Sequence, residues 1–300
     1  MCGIEKKSPR VTIGLPFMNN RDTLPLAIKS IYAQSFQDWE LLLVDDGSTD
    51  GSIHIVQSIQ DSRVNIFRDG KHKGLAVRLN EIAERASGNY LARMDADDLM
   101  HPERLARQVK FLDQHINIDL VCTGSYSIDC NYHVVGIRKL SMINKNPLSI
   151  LKHNIFIHPT IMGRTDWFKR NRYDILYDRA EDYELWCRTF QNLRFAIINE
   201  PLYFYREIGA FNLRNYLKSC FADIRILKKY GPKYVGKFIT NFLILRVYLK
   251  LLIYQTAYII GLHDFLINRR SCKLNPCQIA EVDKIINMIT KIEVPGLRNR

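Results

Sequence analysis

Apolar runs recur at short intervals through the first hundred residues of the chain. Four of them are long and uninterrupted enough to form buried strands, at residues 11–17, 39–44, 64–67 and 90–94. Between these runs, apolar residues at helical spacing begin at Asp22, after Gly51 and at Gly74. This alternation predicts an α/β fold with a doubly wound, mostly parallel sheet.

A cluster of polar residues follows each of the four predicted strands. Ligands of a doubly wound sheet bind beyond the carboxyl ends of its strands, so we expect these clusters to meet in one crevice. Strand-like and mixed patterns continue through residues 119–137 and 161–206, without a repeat or a linker. We therefore divide the chain into a polar leader (1–10), one catalytic domain (11–206) and a helical, basic C-terminal extension (207–300).

Charge is distributed unevenly over these regions. The chain has a net charge of +12, and residues 211–300, with 16 Lys/Arg against 5 Asp/Glu, contribute +11 of it. A basic extension on a near-neutral body indicates contact with an anionic surface, such as phospholipid or nucleic acid. A content of 47% hydrophobic and 25% charged residues is that of a globular protein and argues against a disordered chain or a polytopic membrane protein.

Residues 238–262 are mainly Leu, Ile, Phe and Tyr, interrupted by Arg246 and Lys250. Their longest uncharged run, 251–262, has 12 residues, whereas a membrane-spanning helix needs about 20. We expect no spanning helix and favour an amphipathic helix that lies in the plane of an anionic membrane. The alternative is a pair of helices that packs on the catalytic domain and exposes its basic side chains to water.

Cysteine usage and the N-terminal segment bear on the compartment. The seven cysteines include no CxxC pair, which indicates free thiols in a reducing environment. Residues 1–10 lack the apolar core of a signal peptide. We expect a cytoplasmic protein that is bound peripherally to the inner face of the cell membrane.

A group of aspartates, Asp95-Ala-Asp97-Asp98, directly follows the fourth predicted strand. Side chains two residues apart in an extended segment point to the same side, so Asp95 and Asp97 can converge on one ion. Carboxylate oxygens suit Mg2+ or Mn2+, which neutralise the charge that develops on a diphosphate leaving group. The alternative is a solvated turn, and the position of the motif after a buried strand argues against it.

Two further segments are candidates for contact with a nucleotide. Asp45 ends the second strand and could accept a hydrogen bond from a base or a ribose, whereas Asp46 or Ser48 could instead cap the next helix. Lys73 precedes Gly74 and a predicted helix, and would place a cation and a helix N-terminus near a phosphate. The chain has neither GxGxxG nor GxxxxGK[ST], which argues against a dinucleotide oxidoreductase and a P-loop NTPase.

Glu181 and Asp182 open a predicted helix with Leu185, Trp186 and Phe190 on its apolar face. Acidic residues in a first turn commonly do no more than complement the helix dipole. A transferase that acts on a hydroxyl, however, needs a carboxylate as general base. This pair is the best candidate downstream of the predicted metal site.

Over residues 10–206 the chain resembles a family 2 glycosyltransferase with the GT-A fold. The resemblance rests on the order and spacing of Leu15-Pro-Phe17, Val44-Asp-Asp-Gly-Ser-Thr-Asp50, Lys73-Gly-Leu75, Leu79-Asn80, Ala92-Arg-Met-Asp-Ala-Asp-Asp98, His158-Pro-Thr-Ile-Met162 and Glu181-Asp-Tyr-Glu-Leu-Trp186. It implies an inverting transfer of a hexosyl or N-acetylhexosaminyl group from a nucleotide sugar, with a UDP-sugar favoured, to a glycan or lipid-linked glycan. It also implies a role in the synthesis of a cell-surface polysaccharide or O-antigen.

The resemblance assigns roles to individual residues. Pro16 and Phe17 would line the nucleotide pocket through backbone contacts, while Asp45 meets the base and Lys73 lies near the nucleotide. Asp95 would contact the ribose or a metal-bound water, and Asp97 would bind Mn2+ or Mg2+ directly. Asp182 would be the catalytic base, and Glu181 and Trp186 would shape the acceptor side.

The sequence departs from the family pattern in two places. The segment 69–73 lacks an Asn that is common there, and residues 207–211 replace a loop in which His or Ser is expected.

Two alternative functions are those of a sugar nucleotidyltransferase and of a non-catalytic nucleic-acid binder. We expect no nucleic-acid partner, because the basic residues of the extension lie in apolar helical runs rather than on an exposed stacking face.

Overall fold

The fold is described from a computed structural model of the chain. The structure describes residues 8–138, 146–152, 156–207, 211–268 and 271–297. Most of the predicted leader, residues 1–7, and residues 208–210 of the second departure from the family pattern lie outside the described residues.

The first hundred residues form the predicted parallel half of a sheet. Its strands lie in the order β3-β2-β1-β4, and each neighbouring pair is parallel. The strands are β1 (Val11–Phe17), β2 (Trp39–Asp45), β3 (Val64–Arg68) and β4 (Tyr90–Arg93), joined by helices α1 (Leu24–Tyr32), α2 (Ser52–Gln57) and α3 (Leu75–Arg85). The predicted doubly wound α/β arrangement is confirmed, and the boundaries differ from the predicted ones by one or two residues.

Helices cover both faces of this half, so β1 is buried along its whole length. The apolar residues of α1 at Leu24, Ala27, Ile28 and Ile31 face the sheet at helical spacing. On the other face, a Cβ at Gly14 would lie 2.4 Å from Cγ2 of Ile82, so the glycine lets α3 approach β1 closely. This packing fixes the carboxyl ends of β1, β2 and β4 relative to one another.

The second half of the sheet is largely antiparallel. The full strand order is β3-β2-β1-β4-β8-β6-β9-β5, with β7 paired to β6. These elements are β5 (Leu99–Met100), α4 (Arg104–Gln114), β6 (Leu120–Ile128), β7 (Val134–Arg138), α5 (Pro147–Lys152), a 3₁₀ helix (His158–Thr160), β8 (Met162–Arg164), α6 (Thr165–Arg170), α7 (Glu181–Thr189) and β9 (Phe195–Arg206). Strand β8 is antiparallel to both β4 and β6, which brings the segment after His158 beside the end of β4.

The C-terminal residues form helices α8 (Leu213–Ile259), α9 (His263–Asn268) and α10 (Pro276–Thr290). Much of this region packs on the catalytic body, as one of the sequence-based alternatives expected. The hydroxyl of Tyr234 in α8 donates to the carbonyl of Cys187 in α7 at 2.7 Å, and Lys29 in α1 donates to the carbonyl of Thr290 at 2.7 Å. The proposed boundary at residue 206 stays a prediction, and contacts across it are extensive.

Helix α8 is interrupted at Gly236, where φ is 78° and ψ is 163°. By length and composition it could cross a membrane, since its most apolar 18-residue window has a mean hydropathy of 1.4 and is only 17% buried. The expectation that no helix spans a membrane, which used the longest uncharged run, stays a prediction. Such a helix is weak evidence for spanning, because the core helices of soluble proteins pass the same test.

Candidate active site

The aspartates after β4 form a compact acidic cluster. Oxygens of Asp95, Asp97 and Asp98 all lie within 4.8 Å of one another. Asp95 forms an ion pair with Arg93, whose Nη2 lies 2.8 Å from its Oδ1, and the backbone N–H of Asp95 donates to the Tyr203 hydroxyl at 3.2 Å. The cluster is therefore held by strands β4 and β9 together.

Of the two remaining carboxylates of the cluster, Asp98 is buried and Asp97 is partly buried. Oδ1 of Asp98 accepts a hydrogen bond from the backbone of Arg206 at 2.8 Å, while its buried Oδ2 has no hydrogen-bond partner. Burial, with the negative charges of Asp97 and Asp95, holds the pKa of Asp98 well above its usual range. Burial and the charge of Asp95 raise the pKa of Asp97 to about 6.

These residues fit a hard divalent cation. The donor set consists of oxygen alone, one buried oxygen lacks a partner, and the crowded negative charges would be relieved by a bound cation. The sequence predicted that Asp95 and Asp97 converge on one ion, and both lie in this cluster. Asp98, for which no role was predicted, lies there too.

A second cluster joins the 3₁₀ helix to the first turn of α7. Ligand atoms of His158, Glu181 and Asp182 lie within 4.8 Å of one another. Nε2 of His158 lies 2.9 Å from the Tyr173 hydroxyl, and Nδ1 of His158 lies 3.9 Å from Oδ2 of Asp182. Burial, and next the charge of Arg93, hold the pKa of His158 well below its usual range, so its ring is neutral.

The two carboxylates of this second cluster differ in exposure. Glu181 is 5% exposed, and burial together with the charge of Asp182 raises its pKa to about 7. The side chain of Asp182 is 14% exposed and lines a cleft toward α8. Of the two, Asp182 is the carboxylate that a ligand can reach.

Arg93 connects the two acidic clusters. Burial lowers its pKa, but the negative charges around it, including those of Asp95 and Glu181, outweigh that effect and keep it above its usual range. The same guanidinium acts on the pKa of His158. The buried guanidinium of Arg93 is thus ion-paired with Asp95 and also acts electrostatically on Glu181 and His158 of the second cluster.

The ends of β1 and β2 form the neighbouring wall. Pro16 pairs with Val44 and Phe17 with Asp45, and the carbonyl of Phe17 accepts from the Asp46 backbone at 2.9 Å. Asp45 is fully buried, and its Oδ1 accepts from the Ser48 backbone at 3.0 Å. Its Oδ2 accepts no hydrogen bond, and the Nε of Arg68 lies 3.7 Å from it as an ion-pair partner. Such an oxygen is suited to accept a hydrogen bond from a ligand.

Asp46 does not cap helix α2, as one sequence alternative had it, because the N-cap is Gly51 without a side-chain hydrogen bond. Its carboxylate instead holds the loop before α3, accepting from the Lys73 backbone and from Nε of buried Arg78, both at 2.8 Å. Ser48 does not cap α2 either; its hydroxyl accepts from the Asn19 backbone at 3.1 Å.

The Lys73 ammonium lies between two carboxylates, 2.6 Å from Asp69 and 2.9 Å from Glu81. Asp69 stands in the segment where the family pattern has an Asn, and it also binds Arg78 at 2.7 Å. The departure from that pattern is therefore part of an ion-pair network that shapes the loop.

With this geometry established, comparison with known proteins identifies the family. The model of glycosyl transferase family 2 matches residues 12–179, more than half of the chain. The chain belongs to glycosyl transferase family 2. This family 2 glycosyltransferase is 36% identical over 219 residues to the putative glycosyltransferase EpsE of Bacillus subtilis, covering 70% of the chain and 78% of that protein.

Two other proteins extend the comparison. The first is the UDP-Glc:alpha-D-GlcNAc-diphosphoundecaprenol beta-1,3-glucosyltransferase WfgD of Escherichia coli, which is 29% identical over 63% of this chain and 73% of its own. The second is the mannosyltransferase PcManGT of Pyrobaculum calidifontis in complex with GDP-Man and Mn2+, with a TM-score of 0.59 and 15% identity over 95% of this chain and 86% of its own. The latter likeness supports the GT-A fold. Family membership argues against the nucleotidyltransferase and nucleic-acid-binder alternatives.

In this family 2 glycosyltransferase the roles predicted for individual site residues stay predictions, and the position of Trp186 differs from that of the others. Its side chain is fully buried, and its ring packs against His158 with centroids 6.1 Å apart. The ring also packs on Phe156 and Trp167, with centroids 4.9 and 6.2 Å away, so Trp186 supports the second cluster from within the core.

Sequence reasoning missed several members of the site. Arg93, His158 and Asp98 stood inside quoted motifs without a role, whereas Tyr173 and Tyr203 carried no signal because they meet the site only through the fold.

Proposed function

We propose that the chain transfers a hexosyl or N-acetylhexosaminyl group, with inversion, from a nucleotide sugar to a hydroxyl of a glycan or lipid-linked glycan. A UDP-sugar is the favoured donor, and the pathway is the synthesis of a cell-surface polysaccharide. The observation that carries the proposal is the pair of acidic clusters joined by Arg93 at the carboxyl end of the sheet. The name of WfgD, a glucosyltransferase that uses UDP-Glc and a lipid diphosphate acceptor, supports the donor and acceptor classes.

The donor occupies the crevice at the ends of β1, β2 and β4 in this proposal. Backbone groups of Pro16 and Phe17 line the base pocket, and Oδ2 of Asp45, which accepts no hydrogen bond within the protein, accepts from the base. Lys73 lies on the loop beside the phosphates. Asp95 meets the ribose or a metal-bound water.

Asp97 binds the metal, with Asp98 beside it. A bound Mn2+ or Mg2+ supplies neutralisation of the diphosphate as it leaves. PcManGT was solved with GDP-Man and Mn2+, which supports a metal of this class.

Asp182 takes the proton of the acceptor hydroxyl. The hydroxyl oxygen attacks the anomeric carbon, the bond to the diphosphate breaks, and the nucleoside diphosphate departs with the bonding electrons. Neutral His158 and buried Glu181 position Asp182, because they surround it without adding a second full negative charge below about pH 7.

The second half of α8 contacts an anionic membrane from the cytoplasmic side. Its large apolar side chains are mostly exposed, and basic residues flank them.

Transfer and its by-product test the proposal. Purified full chain is incubated with radiolabelled UDP-, GDP- and dTDP-sugars, Mn2+ and a bacterial glycolipid extract, and the released nucleotide is identified. The proposal expects label in the lipid fraction together with a nucleoside diphosphate. Release of pyrophosphate would indicate a nucleotidyltransferase, and no transfer from any donor would contradict the proposal.

A further inference from the structure

A cleft of about 480 Å³ lies between the first turn of α7 and both halves of α8. It is lined by basic side chains from four separate segments of the chain, Arg138, Lys152, Arg179, Arg246 and Lys250. Arg138 forms an ion pair with Glu207, so the other four cations carry the excess of positive charge. Its acidic lining residues are Asp182 and Asp223. The excess of positive charge makes the cleft suited to an anion.

The cleft opens onto the proposed acceptor side of the site. Asp182, the candidate base, is itself a lining residue. Asp223 is influenced by the charges of both Lys250 and Asp182, and burial raises its pKa to about 7. Near neutral pH Asp223 therefore offsets only part of the positive charge around it.

Helix α8 presents two different faces beyond its kink. Leu243, Arg246, Val247 and Lys250 line the cleft at the spacing of one helical face. A second stripe, about a third of a turn away at 3.6 residues per turn, consists of large apolar side chains that are 53–89% exposed. That stripe is formed by Phe238, Phe242, Leu245, Leu249 and Leu252. One helix thus joins a basic cleft to an exposed apolar surface.

We propose that this cleft binds the phosphate or diphosphate group of a lipid-linked acceptor, while the apolar stripe of α8 contacts the membrane that holds its hydrocarbon chain. The inference rests on the proposed function, in which the acceptor hydroxyl reaches Asp182. Arg and Lys side chains match phosphate oxygens in charge and in hydrogen bonding. A neutral glycan would not need the four cations that remain besides Arg138, and a free anion would leave the apolar stripe without a role.

Binding of simple probes to the full chain in EDTA tests the cleft without the donor. The probes are inorganic pyrophosphate, farnesyl diphosphate, farnesol and phosphatidylglycerol vesicles. The variant is Arg246→Gln with Lys250→Gln, and the matched control is Lys233→Gln with Lys237→Gln, which removes two exposed charges of α8 outside the cleft. The pair Arg246→Lys with Lys250→Arg retains both charges and reports on folding.

We expect wild type, the matched control and the charge-retaining pair to bind pyrophosphate and farnesyl diphosphate. The dissociation constants of the cleft variant should rise by about tenfold or more, because two charge-assisted contacts are lost. Stabilisation by UDP with Mn2+ should be the same in all four proteins.

Equal pyrophosphate binding by the cleft variant and wild type would overturn the proposal. The proposal would also be overturned if the protein bound only the vesicles and if the cleft variant and the matched control lost this binding equally. The cations would then serve general membrane attraction. If UDP with Mn2+ fails to stabilise wild type while diphosphate binding behaves as expected, the proposed function fails and the anion-binding cleft stands.

Discussion

The proposed donor side and the proposed acceptor side of this glycosyltransferase are built in different ways. The donor side comes from consecutive strand–turn–helix units, and its side chains are held by short-range networks such as that of Asp46 with the loop before α3. The acceptor side is assembled from β7, α5, α7 and α8, which are far apart in sequence. The first is a shared scaffold of the fold, whereas the second depends on how the C-terminal helices pack.

The residues proposed for the reaction and those proposed to bind the acceptor therefore differ in type and in position. Carboxylates concentrate at the end of β4 and the start of α7, where the proposed reaction takes place. Cations concentrate in the cleft that α8 closes. Changes on the donor side should abolish activity or folding, while changes on the acceptor side should alter what is bound.

The largest effect is expected from Asp182→Asn, which removes the proposed base at the boundary between the two sides. Transfer should fall by about 10²–10⁴-fold, because an amide cannot take the acceptor proton. Stabilisation by UDP with Mn2+ should be retained. Asp166→Asn, an exposed carboxylate on α6, is the matched control; normal turnover of Asp182→Asn would place the base elsewhere.

Arg78→Ala should destabilise the proposed donor side, because Arg78 holds the loop before α3. Arg78 is 2% exposed and binds Asp46, Asp69 and Glu81. Its loss takes the guanidinium away from the buried carboxylate of Asp46, while Lys73 still pairs with Asp69 and Glu81. We expect the free energy of unfolding in urea to fall by about 3–5 kcal/mol. Arg85→Ala on the exposed face of the same helix should cost less than about 1 kcal/mol, and similar losses for both would contradict the role of the network.

The variant Glu181→Gln should test the protonation state of Glu181 on the proposed acceptor side through the pH dependence of stability. The pKa of Glu181 is raised from its usual 4.5 to about 7 by burial and by Asp182, so its contribution to stability is complete below pH 4.5 and is lost as pH rises through about 7. The variant should therefore gain stability relative to wild type, by about 3 kcal/mol, between pH 4 and pH 8. A pH-independent difference in thermal unfolding would show that Glu181 is ionised throughout.

The smallest effect is expected from Leu249→Gln on the apolar stripe. If this surface enters a membrane, the partition coefficient onto phosphatidylglycerol vesicles should fall by about fivefold to tenfold, since one large apolar side chain no longer leaves water. Ile116→Gln, which changes a residue 76% exposed after α4, should leave sedimentation with vesicles unchanged. Equal partitioning of both variants with wild type would remove the membrane role of α8.

The same contrast explains how far the sequence could be interpreted. Strands β1 to β4, the helices between them and the acidic residues at their ends were predicted, because buried parallel strands read as apolar runs and their ends carry the polar residues. In the second half of the sheet the helix that begins at Glu181 was predicted, but the individual strands were not. Strand β8 has only three residues, and its register depends on both neighbours. The partners Tyr173 and Tyr203, and the cleft cations, meet only after distant segments pack.

Thermal unfolding of the full chain with UDP, in Mn2+ and in EDTA, tests most directly whether the aspartates after β4 form a metal-dependent donor site. Ligand that binds only the folded state raises its stability by mass action, so UDP should raise the midpoint of wild type in Mn2+ but not in EDTA. Asp97→Asn should lose that shift while keeping the midpoint without ligand within a few degrees. Equal stabilisation in EDTA, or an undiminished shift in Asp97→Asn, would contradict the account.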